Sequence, residues 1–322
     1  MTDIVATKPA RASRFTVGDI FRDYGVLIII VVLMIGLSII SDSFFTTRNL
    51  LNILNQSTPL ALIAGALTLV IISGGFDLST GAIFGVASVV SAWLAVNVDP
   101  TLAMLVAPLV ALLLGVINGL IITAFNVHSF LATLATSLVY RGLAVLITGG
   151  GLIPVRMEGF AWIGRGRVGD VNIAIIILAV FTLAMMILLN RTTFGRRVIA
   201  VGGNEEAAIL SGVRTKLVKI AAFGLTGFAS GLAGIIAVSR ISMGQPLAGQ
   251  GMELDAIAAV ILGGTSIYGG AGAVWRSIAG VLLLALIGNG FNILNVNPFF
   301  KDLTTGLIIV IAVALSAGKR RR

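Results

Sequence analysis

Asp77 interrupts an otherwise apolar stretch, "IISGGFDLSTGAI" (71–83), and is the first residue whose type and place suggest chemistry. A carboxylate at membrane depth costs about 2.5–3.5 kcal/mol on insertion scales, so it faces protein or a water-filled cavity. Gly74 and Gly75, just before it, allow a helix to break or another helix to come close. With Ser79 they suit a pathway or gating element. The simpler reading is a cap, in which Asp77, Ser79 and Thr80 receive the first N–H groups of the next helix. The two readings are compatible and both stay open.

Four other features invite chemistry. Arg141 lies inside "LATSLVYRGLAVLITGG" and calls for an acceptor inside the protein, with a structural ion pair favoured over a ligand contact. His128 is the single histidine and reads as an interfacial residue rather than a proton relay. "GRGRVG" (164–169) fits G-x-G-x-x-G but follows no expected strand, which argues against dinucleotide binding. "GFASGLAG" (227–234) resembles a serine-nucleophile motif, yet that motif needs glycine where Phe228 stands, so small-residue helix packing explains Ser230 better. No G-x-x-x-x-G-K-[ST] occurs, so any ATP is bound by another chain.

The elements that must position these residues are membrane spans. The chain has 322 residues, 57% hydrophobic and 11% charged, against about 25% charged in soluble domains. Its fold class is therefore all-α, a polytopic membrane protein. Ten spans are expected, over 24–41, 51–73, 81–97, 102–125, 130–148, 172–190, 217–238, 254–268, 275–294 and 302–318, of which the third and eighth are short and Gly-rich. Residues 1–23 form an N-terminal tail, 24–318 one transmembrane domain, and 319–322 a basic tail. The first span is longer than the apolar core of a cleaved signal and no clean cleavage site follows it. The absence of cysteine excludes disulfides and thiolate metal sites, and one histidine argues against a His-rich metal site.

The formal net charge of +9 reflects orientation rather than nucleic acid. Lys8, Arg11, Arg14, Arg22, Arg191, Arg196, Arg197, Arg214, Lys216, Lys219, Arg276 and the terminal Lys319–Arg322 all fall on one side of a ten-span chain. Arg48, Arg156, Arg165, Arg167, Arg240 and Lys301 fall on the other. The positive-inside rule makes the first side cytoplasmic and places both termini there. The stretches 148–170 and 239–254 on the opposite side are long enough to be structured. Two halves repeat weakly: Asn118-Gly119 aligns with Asn289-Gly290, and "VIISGG" (70–75) echoes "AVILGG" (259–264), which brings Gly263 and Gly264 in as partners of Gly74 and Gly75. Such repeats are common in transporters, with the pathway between the halves.

The cytoplasmic loop, about 191–216, contains a short amphipathic helix. Asn204 caps it, Glu205 and Glu206 sit in its first turn where the helix dipole favours anions, and Gly212 ends it. Ala207, Ala208, Ile209 and Leu210 are its small and apolar positions, followed by Ser211. With no Lys or Arg in its core it suits docking into a partner's groove better than lying on an anionic lipid surface.

These residues carry a resemblance. "NLLNILNQS" (49–57), "VIISGGFDLSTGA" (70–82), "FLATLATSLVYRGLAVLITGG" (130–150), "FGRRVIAVGGNEEAAILSGV" (194–213) and "ELDAIAAVILGGTSIYGGAGAV" (253–274) resemble permease subunits of ribose/xylose/arabinose/galactose-type ABC importers over about 45–318. "EAAILSG" (206–212) is similar to the E-A-A-x-x-x-G pattern that docks the ATPase in ABC permeases. The sequence departs from the family pattern at Phe76, at His128, and in lacking the longer EAA consensus. The resemblance implies a homodimer in the inner membrane, a cytoplasmic ATPase subunit that binds ATP and Mg²⁺, and a periplasmic sugar-binding protein. It also implies that Gly74, Gly75 and Asp77 mark a break where helices move past each other. An ion-coupled secondary transporter is the alternative, weakened by the scarcity of intramembrane carboxylates beyond Asp77. An intramembrane hydrolase is more remote.

Overall fold

The computed structural model describes residues 17–297, together with 300, 303, 304, 306, 307 and 310. Lys8, Arg11, Arg14, the basic tail 319–322 and most of the tenth expected span lie outside the described residues. The described residues are mostly helical, with four two-residue strands. In order come α1 (Val17–Ile40), α2 (Thr47–Ile72), α3 (Thr80–Asn97), α4 (Pro100–Phe125), α5 (Ser129–Thr148), β1 (Ile153–Pro154), α6 (Glu158–Arg165), β2 (Arg167–Val168), β3 (Val171–Asn172), α7 (Ile173–Arg191), α8 (Thr193–Gly203), α9 (Glu205–Leu210), α10 (Thr215–Ile241), β4 (Met243–Gly244), α11 (Met252–Leu262) and α12 (Val274–Ile293).

Seven of these helices (α2, α3, α4, α5, α7, α10 and α12) are long and apolar enough to cross a membrane, and Tyr24–Ile40 adds a shorter apolar stretch within α1. Within α1 the apolar stretch begins at Tyr24, and the described helix extends before it to Val17. Apolar composition alone selects these segments, because a helix satisfies every backbone group internally while lipid offers no partner.

The centre of the molecule is α2, buried along almost its whole second half from Ser57 to Ile72. Helix α10 crosses α4 beside it at very short range. A side chain on Gly115 would meet Gly227 Cα at 3.1 Å, one on Gly119 would meet Ile220 Cα at 2.6 Å, and one on Gly231 would meet Pro108 Cα at 2.7 Å. In lipid such close contact replaces the hydrophobic driving force, which explains the small-residue run that includes Ser230.

The eighth expected span differs most from its sequence reading. It is a helix only over Met252–Leu262, 11 residues or about 16 Å at 1.5 Å per residue, half of the roughly 30 Å of hydrocarbon. The preceding chain runs non-helically along α3. Gly244 lies against Ala92 and Ser88, Pro246 and Ala248 lie against Gly85, and Gly249 and Glu253 lie against Gly81. The bare faces of Gly81 and Gly85 let this segment pass. Non-helical backbone at such depth is tolerated only when enclosed by protein, as here.

The two inter-span stretches expected to be structured clasp each other. Ile153 and Pro154 pair antiparallel with Gly244 and Met243. Arg165 donates from Nε to Arg240 O and from a terminal nitrogen to Ser242 Oγ, both at 2.8 Å.

Candidate functional site

The α2–α3 break is built by two devices. Helix α2 ends in a Schellman motif: Gly74 adopts φ +85°, its N–H reaches Ile71 O at 3.0 Å, and Gly75 N–H reaches Val70 O at 3.0 Å. Gly75 is also tightly packed, since a side chain there would sit 3.2 Å from Val70 Cγ1 and 3.4 Å from Phe223 Cζ. The N–H groups freed by the break are then received by α5: Phe76 N donates to Ser129 Oγ at 3.0 Å, and Leu78 N to Thr133 Oγ1 at 3.0 Å.

Asp77 is fully enclosed and holds the break together. Its Oδ1 accepts from Ser79 N at 3.0 Å and Ser79 Oγ at 2.6 Å, and its Oδ2 accepts from Thr226 Oγ1 of α10 at 3.2 Å. Ser79 Oγ accepts in turn from Asn118 Nδ2 of α4 at 2.7 Å. The Tyr140 hydroxyl of α5 lies 3.0 Å from both Asn118 Oδ1 and Leu114 O. Asp77 thus closes a turn onto Ser79 and ties the break to three helices, rather than capping the first turn of α3 from outside. Neither Ser79 nor Thr80 makes a side-chain cap of α3.

The second glycine pair repeats this termination. Gly264 adopts φ +83°, its N–H reaches Ile261 O at 2.8 Å, and Thr265 N–H reaches Val260 O at 3.2 Å. Gly263 permits α12 to come close: a side chain there would meet the Arg276 carbonyl and Ser277 N. The two helix ends have the same form, but one residue out of the expected register: the left-handed position is Gly74 in the first and Gly264 in the second, whereas the alignment of 70–75 with 259–264 pairs Gly74 with Gly263. Beyond α11, residues 263–273 make an irregular loop that reaches back to α2, with Gly270 N donating to Ile72 O at 2.8 Å.

Arg141 finds its acceptor on the discontinuous segment. Its guanidinium lies 3.4 Å from Glu253 Oε1, in the first turn of α11, with side chains 24% and 15% exposed. Removing one partner leaves the other charge poorly solvated, although the contact is single and not fully enclosed. Arg141→Leu or Glu253→Leu alone is expected to lower stability in detergent by about 1–2 kcal/mol, and the double change by less than the sum. Strict additivity in a double-mutant cycle of detergent unfolding would show the pair to be uncoupled.

The loop at about 191–216 contains two helices, α8 and α9. In α9, Ala207 N donates to Asn204 Oδ1 at 2.9 Å, and Val213 N bonds back to Ala208 O at 3.0 Å past Gly212. Both expected ends are therefore in place. Glu205 pairs with Lys219 Nζ at 2.6 Å, while Glu206, Ala207, Ser211 and Gly212 stay exposed. Ala208 is buried, whereas Ile209 and Leu210 are 55% and 89% exposed. The additional helix is α8. It buries Val198 and Val201, and Gly202 in its last turn packs directly on the Ile72 carbonyl and Gly270 N. Gly269 sits on the same carbonyl. The loop helices, the end of α2 and the 263–273 loop thus meet at one backbone-to-backbone junction, with Gly74 beside it.

The remaining sequence features take structural roles. His128 precedes α5 and accepts from Phe130 N through Nδ1 at 3.3 Å. Residues 164–169 form the end of α6, the strand β2 and the start of its turn toward β3, and a side chain on Gly164 would meet Ile236 O at 2.8 Å. The Ser230 hydroxyl donates to Thr226 O at 2.9 Å within its own helix, so no base activates it. Among the described residues no group of three or more histidine, aspartate or glutamate side chains could hold a metal.

Apolar helices, a discontinuous span and two helix ends that meet a polar loop define a multi-pass membrane protein of transporter type. The chain belongs to the family described as the branched-chain amino acid transport system / permease component, which matches residues 49–313. It is 43% identical over 291 residues to the ribose import permease protein RbsC of Bacillus subtilis (strain 168), covering 89% of this chain and 90% of that one. It is 37% identical over 299 residues to RbsC of Escherichia coli (strain K12), 91% and 93% of the two chains. It is 36% identical over 314 residues to the L-arabinose transport system permease protein AraH of Escherichia coli (strain K12), 97% and 95% of the two chains. No solved structure matches the chain.

Proposed function

We propose that this chain is the permease subunit of an ATP-driven importer that carries a monosaccharide or related polyol across the bacterial inner membrane. The relatives named for ribose and arabinose import support the substrate class. The observation that carries the mechanism is α9: a helix fixed at both ends, with Ile209 and Leu210 presented outward, seated through α8 on the junction at Ile72. A cytoplasmic ATPase, which binds ATP and Mg²⁺, docks on Asn204–Gly212. Its closure displaces α8 and α9, and the junction passes that displacement to the Gly74–Asp77 and Gly263–Gly264 breaks. The Lys and Arg pattern puts α8, α9 and both termini in the cytoplasm, with ten crossings of which the eighth is the extended segment plus α11. A second copy completes the pathway and a periplasmic sugar-binding protein delivers substrate.

The test is a mild-detergent pull-down of the tagged chain from its host, with mass spectrometry and an ATPase assay on the eluate. An ATPase subunit is expected with the native chain and is expected to be lost with Glu206→Lys, at an exposed position, or with Gly212→Trp, which disrupts the end of α9 that the left-handed Gly212 (φ +78°) makes. Retention of the partner by both variants would move the docking site elsewhere. Uptake of leucine and not of any monosaccharide would replace the substrate class by the one in the family's description. Uptake that survives ATP depletion and collapses with an ionophore would install the ion-coupled alternative.

A further inference from the structure

Away from the Asp77 network, a second group of polar side chains gathers in one place. A cleft of about 450 Å³ opens between the first half of α2, the first turn of α11 and the last half of α12. Asn49, Asn52 and Gln56 line it from α2, at positions i, i+3 and i+7 of one helical face, and Asn289 and Asn292 from α12, at i and i+3. Asp255 lines it from α11. In lipid each carboxamide is costly unless bonded across helices or wetted. Two are bonded across: Asn49 and Asn289 exchange hydrogen bonds of 3.2 and 2.9 Å, which fixes α2 to α12. The others are not consumed in this way. Gln56 Nε2 donates to Asn52 Oδ1 at 3.0 Å within α2, leaving the rest of both exposed amides for another partner.

We propose that this cleft binds a neutral polyhydroxylated molecule of monosaccharide size, and that Asn52, Gln56 and Asn292 are its hydrogen-bonding groups, with Asp255 at its floor. The inference rests on the importer reading and assigns that reading a binding site within this chain. A carboxamide offers an acceptor and two donors without charge, which matches the paired donor and acceptor character of neighbouring hydroxyls. A zwitterionic amino acid would need a cation opposite its carboxylate, and among the described lining residues there is no lysine or arginine. The volume lies within the roughly 300–1,000 Å³ of ligand pockets. The cleft does not include Asp77, so binding and the break are separate places. In the orientation set by the Lys and Arg pattern, the cleft lies toward the outer face, where substrate enters.

The lack of native cysteine makes the test clean. The assembled importer carries Asn52→Cys, Gln56→Cys or, as a control on the β2–β3 hairpin, Val168→Cys. Each is labelled with a membrane-impermeant methanethiosulfonate while D-ribose, L-arabinose or D-xylose is present at saturation. An imported sugar is expected to slow labelling several-fold at positions 52 and 56 and leave position 168 unchanged. Asn292→Ala is expected to raise the KM for uptake several-fold with the maximal rate kept, a split that a loss of folding would not give. Import of one of the sugars without protection at either position, or with equal slowing at position 168, overturns the site and leaves the importer reading standing. If the native complex imports neither these three nor any other monosaccharide or polyol, the importer reading itself falls and takes the ligand of this cleft with it.

Discussion

Gly202→Val is expected to abolish uptake and to destabilise the protein by about 3 kcal/mol, at the upper end of the cost of overpacking. The reason lies in what surrounds the glycine. A first side-chain carbon there would meet the Ile72 carbonyl and Gly270 N, both backbone atoms. Backbone cannot swing aside as a flexible side chain does. The Gly270 N–H is moreover engaged with that same carbonyl, so the intrusion would also part a hydrogen bond that ties the 263–273 loop to α2. The neighbouring Gly203 supplies the control, because a side chain there meets nothing within 4 Å. Gly203→Ala is expected to leave uptake and thermal stability within error of the native chain. The measurements are ATP-dependent uptake in proteoliposomes and fluorescence-detected thermal unfolding in detergent. Native uptake and stability in Gly202→Val would remove the junction from the path between the loop helices and the breaks.

How far the sequence reveals this architecture depends on how local each signal is. The long spans are legible because lipid demands an uninterrupted apolar helix, and α9 because Asn204 and Gly212 carry cap chemistry at fixed offsets. The eighth span, expected as a helix over 254–268, is helical only over Met252–Leu262, because hydropathy does not distinguish helix from the irregular loop that begins at Gly263, and the enclosed extended chain before Met252 reads from sequence as an outer stretch. Its signal is present but distributed: Pro246 and the glycines at 244, 249 and 251 in the segment itself, and Gly81 and Gly85 one turn apart on the helix it passes. Helix α8 hides because Arg196 and Arg197 make it look like loop, while its buried face is only Gly195, Val198 and Val201. Ion-pair partnership for Arg141 is expected, but its partner Glu253 lies 112 residues away. The companions of Asp77 on α4, α5 and α10 are likewise isolated polar residues in separate spans, and only folding makes them one network.

Asp77 is where the functional and the structural readings part, and two substitutions separate them. Asp77→Ala removes the acceptor of Ser79 N and Ser79 Oγ and one acceptor of Thr226 Oγ1 in a fully enclosed site. Thr226 has a fallback in the Phe223 carbonyl at 2.8 Å, and the Ser79 groups have none recorded. Two orphaned donors at roughly 1–3 kcal/mol each amount to about 2–6 kcal/mol, enough to dissolve the break and lose uptake. Asp77→Asn is different. Its carbonyl oxygen still accepts from both Ser79 groups, and its amide can donate to Thr226 Oγ1, which keeps an acceptor lone pair. If the carboxylate serves as a connector, Asp77→Asn should assemble with the ATPase and retain a substantial part of ATP-dependent uptake. If it serves as a proton- or cation-coupling group, the amide cannot replace it, and uptake should vanish while assembly and thermal stability remain. Uptake at a range of pH, set beside unfolding temperatures for Asp77→Asn and Asp77→Ala, decides between them. The hydrogen-bond pattern favours the connector: both oxygens of Asp77 face protein donors, and no solvent reaches the residue. Movement at this break would then come from outside it, through the end of α2 and the helices seated there.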